Sequence, residues 1–185
     1  MLLFHFSEEP AIERFDPRPI RIPTARRPGM EWLNGPLVWA IDAWHAPMYL
    51  FPRECPRILV WPTPETNDSD RERWFDTDVR MIAYVETAWL ERIRIATLCR
   101  YTFTSAGFEN IEDAGMWVSR HAVTPIDAAS LSDLPDRLRE CDVLLRPVEN
   151  LLPLKPVWNS SLHASGIRLR NARDWGEPGW PHSTP

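Results

Sequence analysis

The chain has 185 residues, 44% hydrophobic and 25% charged, a composition that fits one ordinary globular domain and excludes disordered, collagen-like and repetitive chains. Its net charge of −5 argues against general nucleic-acid binding, because phosphate contacts need a basic face. Cys55, Cys99 and Cys141 are odd in number and far apart, so neither a disulfide framework nor a cysteine zinc site is indicated.

Leu2–Phe6 is a short apolar, aromatic run that reads as a strand, and the following Ser7-Glu8-Glu9-Pro10 as a turn. The opening MLLFHFSEEP lacks a basic n-region, so it does not read as a secretory signal. No apolar run approaches the ~20 residues of a membrane span. A soluble cytoplasmic protein is the expectation. Asp16 to Gly29, rich in proline and arginine, reads as an extended surface loop. Pro36–Ile41 predicts a strand buried on both faces. Asp42 then caps a short helix over Ala43–Phe51, with Pro47 near its first turn.

Arg57–Trp61 predicts a third strand and Pro62–Asp70 a polar loop. The next segment has two readings: one helix over Val79–Ile95, or a strand over Met81–Val85 followed by a helix over Thr87–Arg94. Thr97–Thr104 is rich in β-formers, and Met116–Ser119 is a short strand candidate. Leu131, Leu134, Leu138 and Cys141 share one face of a helix capped by Ser132 or Asp133. Val143–Val148 reads as a strand, Leu151–Leu162 as an irregular helix, and Ile167–Arg170 as a last strand. The organisation is a single domain over 1–175 with a flexible tail over 176–185. Interleaved elements without a βαβ period predict an α+β fold of mixed, mainly antiparallel strands with short helices.

The 10 tryptophans serve as packing residues or as an aromatic platform. Lys155 is the one lysine among 21 basic residues. Arginine suits bidentate recognition of carboxylates and phosphates, although GC-rich codon usage would give the same imbalance. His5, between Phe4 and Phe6, points into a cleft or is a core histidine satisfied by a carbonyl. Trp39, Asp42, Trp44, His45 and Tyr49 outline one pocket wall, with Trp44 and Tyr49 to stack on a flat ring and Asp42 and His45 as polar handles. The bland alternative is a capping aspartate among packed aromatics.

Ser119 and His121 are close in sequence, but no nucleophile elbow supports a triad. The five histidines show no metal-ligand spacing, so no metal is assigned. Arg168 and Arg170, alternating on the last strand, face one side and clamp an anion or form salt bridges.

The order Leu3-Phe4-His5, Ile12, Phe15, then Val38-Trp39-Ala40-Ile41-Asp42 leading to Ala46 and Tyr49 resembles the first half of ADP-ribosyltransferase-like domains. That resemblance implies a first-strand histidine, His5, on the ribose of NAD, and Tyr49 or Trp44 stacked on nicotinamide. A later strand should carry a glutamate. Here that strand is Met116–Ser119 and offers Ser119, with Glu109 and Glu112 before it. The chain also resembles a small family of uncharacterised bacterial proteins, through Trp117-Val118-Ser119, Val123-Thr124-Pro125 and Ser165-Gly166-Ile167-Arg168.

His5 and Ser119 are therefore the catalytic candidates, and Trp39, Asp42, Trp44, His45, Tyr49 and Arg168 the ligand-binding ones. NAD is the cofactor the resemblance implies; the residues alone name none. The readings are a nucleotide-binding domain without firm catalysis, an active ADP-ribosyl transferase, and a non-enzymatic interaction domain. Oligomeric state is not legible.

Overall fold

Residues that alternate apolar side chains on both faces need neighbours on both edges, and β1 (Leu2–Ser7) has them. The computed structural model describes residues 1–20, 23, 26 and 28–176. The tail expected from 176 onward therefore lies, beyond Gly176, outside the described residues, as does part of the Asp16–Gly29 stretch. The fold is mixed α+β with two mostly antiparallel sheets. Within the span read as one domain, the chain forms two compact units.

Unit 1 comprises Met1–Tyr49 and Thr97–Leu131. Its strands are β1, β2 (Val38–Asp42), β5 (Leu98–Thr104), β6 (Glu109–Asn110), β7 (Met116–Ser119) and β8 (Asp127–Leu131), in the order β6-β7-β2-β1-β5-β8. All neighbours are antiparallel. Leu3 pairs with Asp42 and Phe103, and Val38 pairs with Ser119, so these residues share one face with His5 and Tyr101. That face is the core of the unit. Leu3, Val38, Ala40, Tyr101, Phe103 and Phe108 pack there beneath Ile12, Phe15 and Val123.

Two features close the core. Phe15 and Val123 exchange backbone hydrogen bonds of 2.8 and 2.9 Å. The Tyr101 hydroxyl donates to the Glu9 carbonyl at 2.8 Å and accepts from the Ile12 N–H at 2.9 Å. Burial pushes the Tyr101 phenol up, which keeps the donor proton in place.

Unit 2 comprises Leu50–Ala96 and the described residues from Ser132 onward. Its sheet has the order β10-β3-β4-β9, from β3 (Arg57–Trp61), β4 (Met81–Glu86), β9 (Val143–Val148) and β10 (His163–Ile167). Only β4 with β9 is parallel. All six residues of β4 are buried, as expected of a central strand. Helices α1 (Asp68–Trp74), α2 (Leu90–Ile95) and α3 (Leu134–Glu140) belong to this unit. Asn67 caps α1, its side chain accepting from the Asp70 N–H at 2.8 Å.

Several sequence expectations are corrected. Of the two readings around Met81, strand then helix is the one formed. The expected helix over Ala43–Phe51 is only a 3₁₀ turn over Ala46–Tyr49, because Pro47 donates no backbone hydrogen bond. Leu151–Leu162 is likewise 3₁₀ over Leu152–Asn159, with two prolines lacking donors. Leu131 belongs to β8, not to α3. Asp133 occupies the N-cap position with φ +55° and makes no capping bond. The last strand ends at Ile167; Leu169–Asn171 is a 3₁₀ turn. Helix α1 begins inside the segment expected to be loop.

Replacing Tyr101 by Phe leaves the Glu9 carbonyl and Ile12 N–H without their shared partner. The variant should lose about 1–3 kcal/mol of stability, read by urea denaturation. An unchanged midpoint would show that the hydroxyl does not hold residues 9–12 to the sheet.

Candidate functional site

The corner that follows β2 gathers most of the polar residues singled out in unit 1. Asp42 Oδ1 accepts from the backbone N–H of His45 at 2.8 Å and from His45 Nδ1 at 2.9 Å; Oδ2 lies 3.1 Å from the same nitrogen. One carboxylate thus closes the turn and orients the imidazole. A carboxylate oxygen only accepts, so the contact places a proton on Nδ1. Both side chains are mostly buried.

Aromatic groups flank this pair. Trp44 meets the His45 ring edge-on at 4.5 Å and is 40% exposed. Tyr49 donates to Met116 Sδ at 3.6 Å. The strand opposite must come close, and the Asp42 N–H donates to the Gly115 carbonyl at 2.9 Å. Gly115 has φ +70°, and a Cβ there would collide with His45 Nδ1 and sit 2.6 Å from Asp42 Oδ2. Sequence reasoning missed Gly115 because its partner is far away in the chain. Its only signal was a glycine immediately before a strand.

The two catalytic candidates are placed apart. His5 Nδ1 lies 2.8 Å from the Trp39 carbonyl, and its ring meets Phe15 edge-on at 4.9 Å. That is the packed, carbonyl-bound histidine of the bland reading. Ser119 is 1% exposed; its hydroxyl donates to the His121 carbonyl at 3.0 Å and accepts from the His121 N–H at 3.2 Å. Strand β2 lies between β1 and β7, so His5 and Ser119 are separated by two strand spacings, roughly 10 Å or more. They do not form a nucleophile–base pair.

Of the carboxylates before the third-motif strand, one is paired and one sits in a turn. Glu109 accepts from Arg120 Nε at 2.9 Å, and Glu112 occupies a left-handed turn with φ +53°. On the face that carries His5, Asp42 is the diagonal neighbour on β2, about 7–8 Å away.

Arg168 belongs to unit 2. Its Nε donates to the Arg53 carbonyl at 3.2 Å and lies 3.6 Å from Glu54 Oε1. Arg170 reaches Glu54 Oε2 at 3.1 Å, and Asn171 donates to the Glu54 carbonyl at 2.7 Å and to its Oε2 at 2.9 Å. The two arginines form salt bridges within the chain, the second of the two readings, and through a turn rather than a strand face. Arg168 has φ +56°, and the Leu169 side chain fills the space above Gly166. The anion is the chain's own Glu54. Its hydrogen bond from Asn171 holds its carboxyl below the usual carboxylate range, helped by the surrounding arginines.

A buried polar group in unit 2 was not singled out from the sequence. Arg57, 2% exposed, donates to the Cys55 carbonyl at 2.8 Å and stacks over Phe51 at 4.9 Å. Buried Glu86 accepts from the Arg173 N–H at 2.9 Å. Burial pushes the Cys55 thiol up to about 12, with Arg57 opposing and Glu86 reinforcing the shift. Among the described residues, no group of three or more His, Cys, Asp or Glu is placed to hold a metal ion, and no helix is long and apolar enough to cross a membrane.

The model of a family of unknown function (DUF6886) matches residues 4–172, and the chain belongs to that family. No curated protein and no solved structure matches the chain.

Two outcomes follow from this geometry. Gly115→Ala should destabilise the fold by about 1–3 kcal/mol, through a strained φ and the forced displacement of His45, with thermal unfolding as the readout. Cys55 should resist alkylation near neutral pH in the native state and react only once unfolded, because the thiolate is the nucleophile. Mass spectrometry after iodoacetamide treatment checks this. Labelling of Cys55 as fast as of a free thiol would contradict its burial.

Proposed function

We propose that this member of the DUF6886 family is a small-molecule-binding protein whose recognition surface is the corner after β2, and that its ligand is nucleotide-like, of the NAD type. The observation that carries the reading is the Asp42–His45 pair set beside the Trp44 ring. The Asp42 carboxylate accepts from ribose-type hydroxyls, and the edge of the His45 ring held beside it adds a polar contact. A large ring already 40% exposed loses little hydration when a base stacks on it. Tyr49, tied to Met116, lines the same corner. Ligand sites commonly combine aromatic walls with a few placed polar groups in this way.

Binding is favoured over transfer. Moving an ADP-ribosyl group needs a carboxylate where positive charge develops on the ribose. The strand expected to carry one has Ser119, whose hydroxyl is used within its own turn. The chain's resemblance to ADP-ribosyltransferase-like domains thus supports a ligand class more than a reaction, since a fold does not fix its chemistry.

Calorimetry with NAD, ADP-ribose and AMP tests this. At least one should bind, and Trp44→Ala and His45→Ala should each weaken it by about tenfold, the size of one lost stacking or hydrogen-bonding contact. Absence of binding by all three would sink the proposal. Release of nicotinamide from NAD above background, with the ADP-ribosyl group recovered on an acceptor other than water, would instead establish the transferase.

A further inference from the structure

The opposite face of the unit 1 sheet carries a second group of residues, and the argument for it does not rest on the Asp42–His45 corner. Phe6 pairs with Arg100 across β1 and β5. The register of β1 with β2, Leu3 with Asp42 and Phe4 with Ile41, sets Trp39 opposite Phe6 when continued along both strands. Trp39, Phe6 and Arg100 therefore form one row over three adjacent strands, on the face away from Leu3 and Tyr101. Phe4 lies beside the row, with the Arg100 guanidinium 5.3 Å from its ring centre. The Arg26 guanidinium lies 5.6 Å from the centre of the Trp39 ring.

Two donors in this row are anomalous. Trp39 Nε1 and Arg100 Nε are both buried and, among the described residues, have no hydrogen-bond partner. Buried polar groups in folded proteins are almost always paired, so each such exception calls for an acceptor. Here two occur on one row, on residues that flank a phenylalanine. One of them belongs to a permanently charged side chain.

The carboxylates near the row face other cations or solvent. Arg26 faces Asp113 and donates to Asn34 Oδ1 at 3.4 Å. Glu109 shares this face through Val118 but is bound to Arg120. Asp127 shares it through Thr102 and is exposed, and among the described residues no salt bridge joins it to Arg100. Burial also holds the Arg26 guanidinium below its ordinary range.

We propose that the Trp39–Phe6–Arg100 row is a binding site for an aromatic oxyanion, an aryl carboxylate or aryl phosphate. Its ring lies against Phe6, and its oxygens accept from Arg100, held over Phe4, and from Trp39 Nε1. Arginine is suited to this role because its planar fork matches both oxyanions, and an aromatic floor favours a planar ligand over an inorganic ion. Two strand spacings, roughly 10 Å, separate the backbone positions of the two donors.

The test titrates the full chain with benzoate, phenyl phosphate and uncharged benzyl alcohol, following the Trp39 indole N–H by ¹⁵N–¹H correlation spectroscopy. At least one anion should move that resonance saturably, and benzyl alcohol should not. Arg100→Gln and Trp39→Phe, the second of which keeps a ring but removes the N–H, should each weaken binding by about tenfold with the circular dichroism spectrum retained. No saturable shift with either anion overturns the proposal, as does undiminished binding in both variants. If a variant does not fold, the titration of the unaltered chain decides alone. The readout is Trp39, not Trp44, so failure here is distinguishable from failure of the nucleotide reading.

Discussion

Strand β1 is hydrogen-bonded along both edges, and its side chains are engaged on both faces. From this one constraint the candidate residues on the strands of unit 1 take their places. The side-chain period of a strand is two, so pairing with β2 and β5 sorts the neighbouring residues into two sets. Leu3, His5, Asp42, Tyr101 and Ser119 belong to one, and Phe4, Phe6, Trp39 and Arg100 to the other. A slip of one residue would exchange them, sending the core leucine and tyrosine out and the arginine in. Register is thus strongly specified, because Leu3, Tyr101 and Phe103 can be buried on only one side.

Many of the described cations lie against rings. Arg26 lies over Trp39, Arg57 over Phe51, Arg92 over Trp89, Arg120 over Trp32 and Arg146 over Tyr84. Lys155, the single lysine, does the same over Trp175 while donating to its carbonyl at 3.1 Å. Whatever sets the codon usage, a guanidinium suits this role better than an ammonium, being flat and weakly hydrated. The abundance of tryptophan and of arginine is therefore one feature rather than two. Half-buried rings need a lid that tolerates water on its outer side, and an arginine stem and fork supply it.

Where burial alone decides an element, the sequence is easy to read. Arg57–Trp61 and Val143–Val148 are strands with the boundaries that their apolar runs imply. Strand β8 is different: Asp127-Ala128-Ala129-Ser130-Leu131 has no β-forming pattern and is a strand because β5 offers it an open edge. Arg168 and Arg170 misled for a related reason, since alternation of two charges looks like a strand even when the backbone turns left-handed between them. In the candidate corner, Asp42, Trp44, His45 and Tyr49 were legible because they are neighbours in the chain. Gly115 was not, since its requirement comes from side chains on another strand. Nor was the partner of His5, a backbone carbonyl that leaves no trace in residue identity. The lone donors of Trp39 and Arg100 are invisible to sequence for the same reason.

Ser119 shows how the fold itself weighs on the question of chemistry. Its strand pairs with β2 so that Val38 and Ser119 stand opposite, with their side chains directed to the core face. The hydroxyl is short enough to meet both the carbonyl and the N–H of His121, and the turn from β7 depends on that double contact. A glutamate in its place would lose the turn and bring a carboxylate to a position 1% exposed, where no paired cation lies among the hydrogen bonds formed. Burying an unpaired charge is among the costliest changes a core can undergo. The serine is thus a requirement of this backbone, and on this face the carboxylate beside His45 comes from Asp42, at the end of β2.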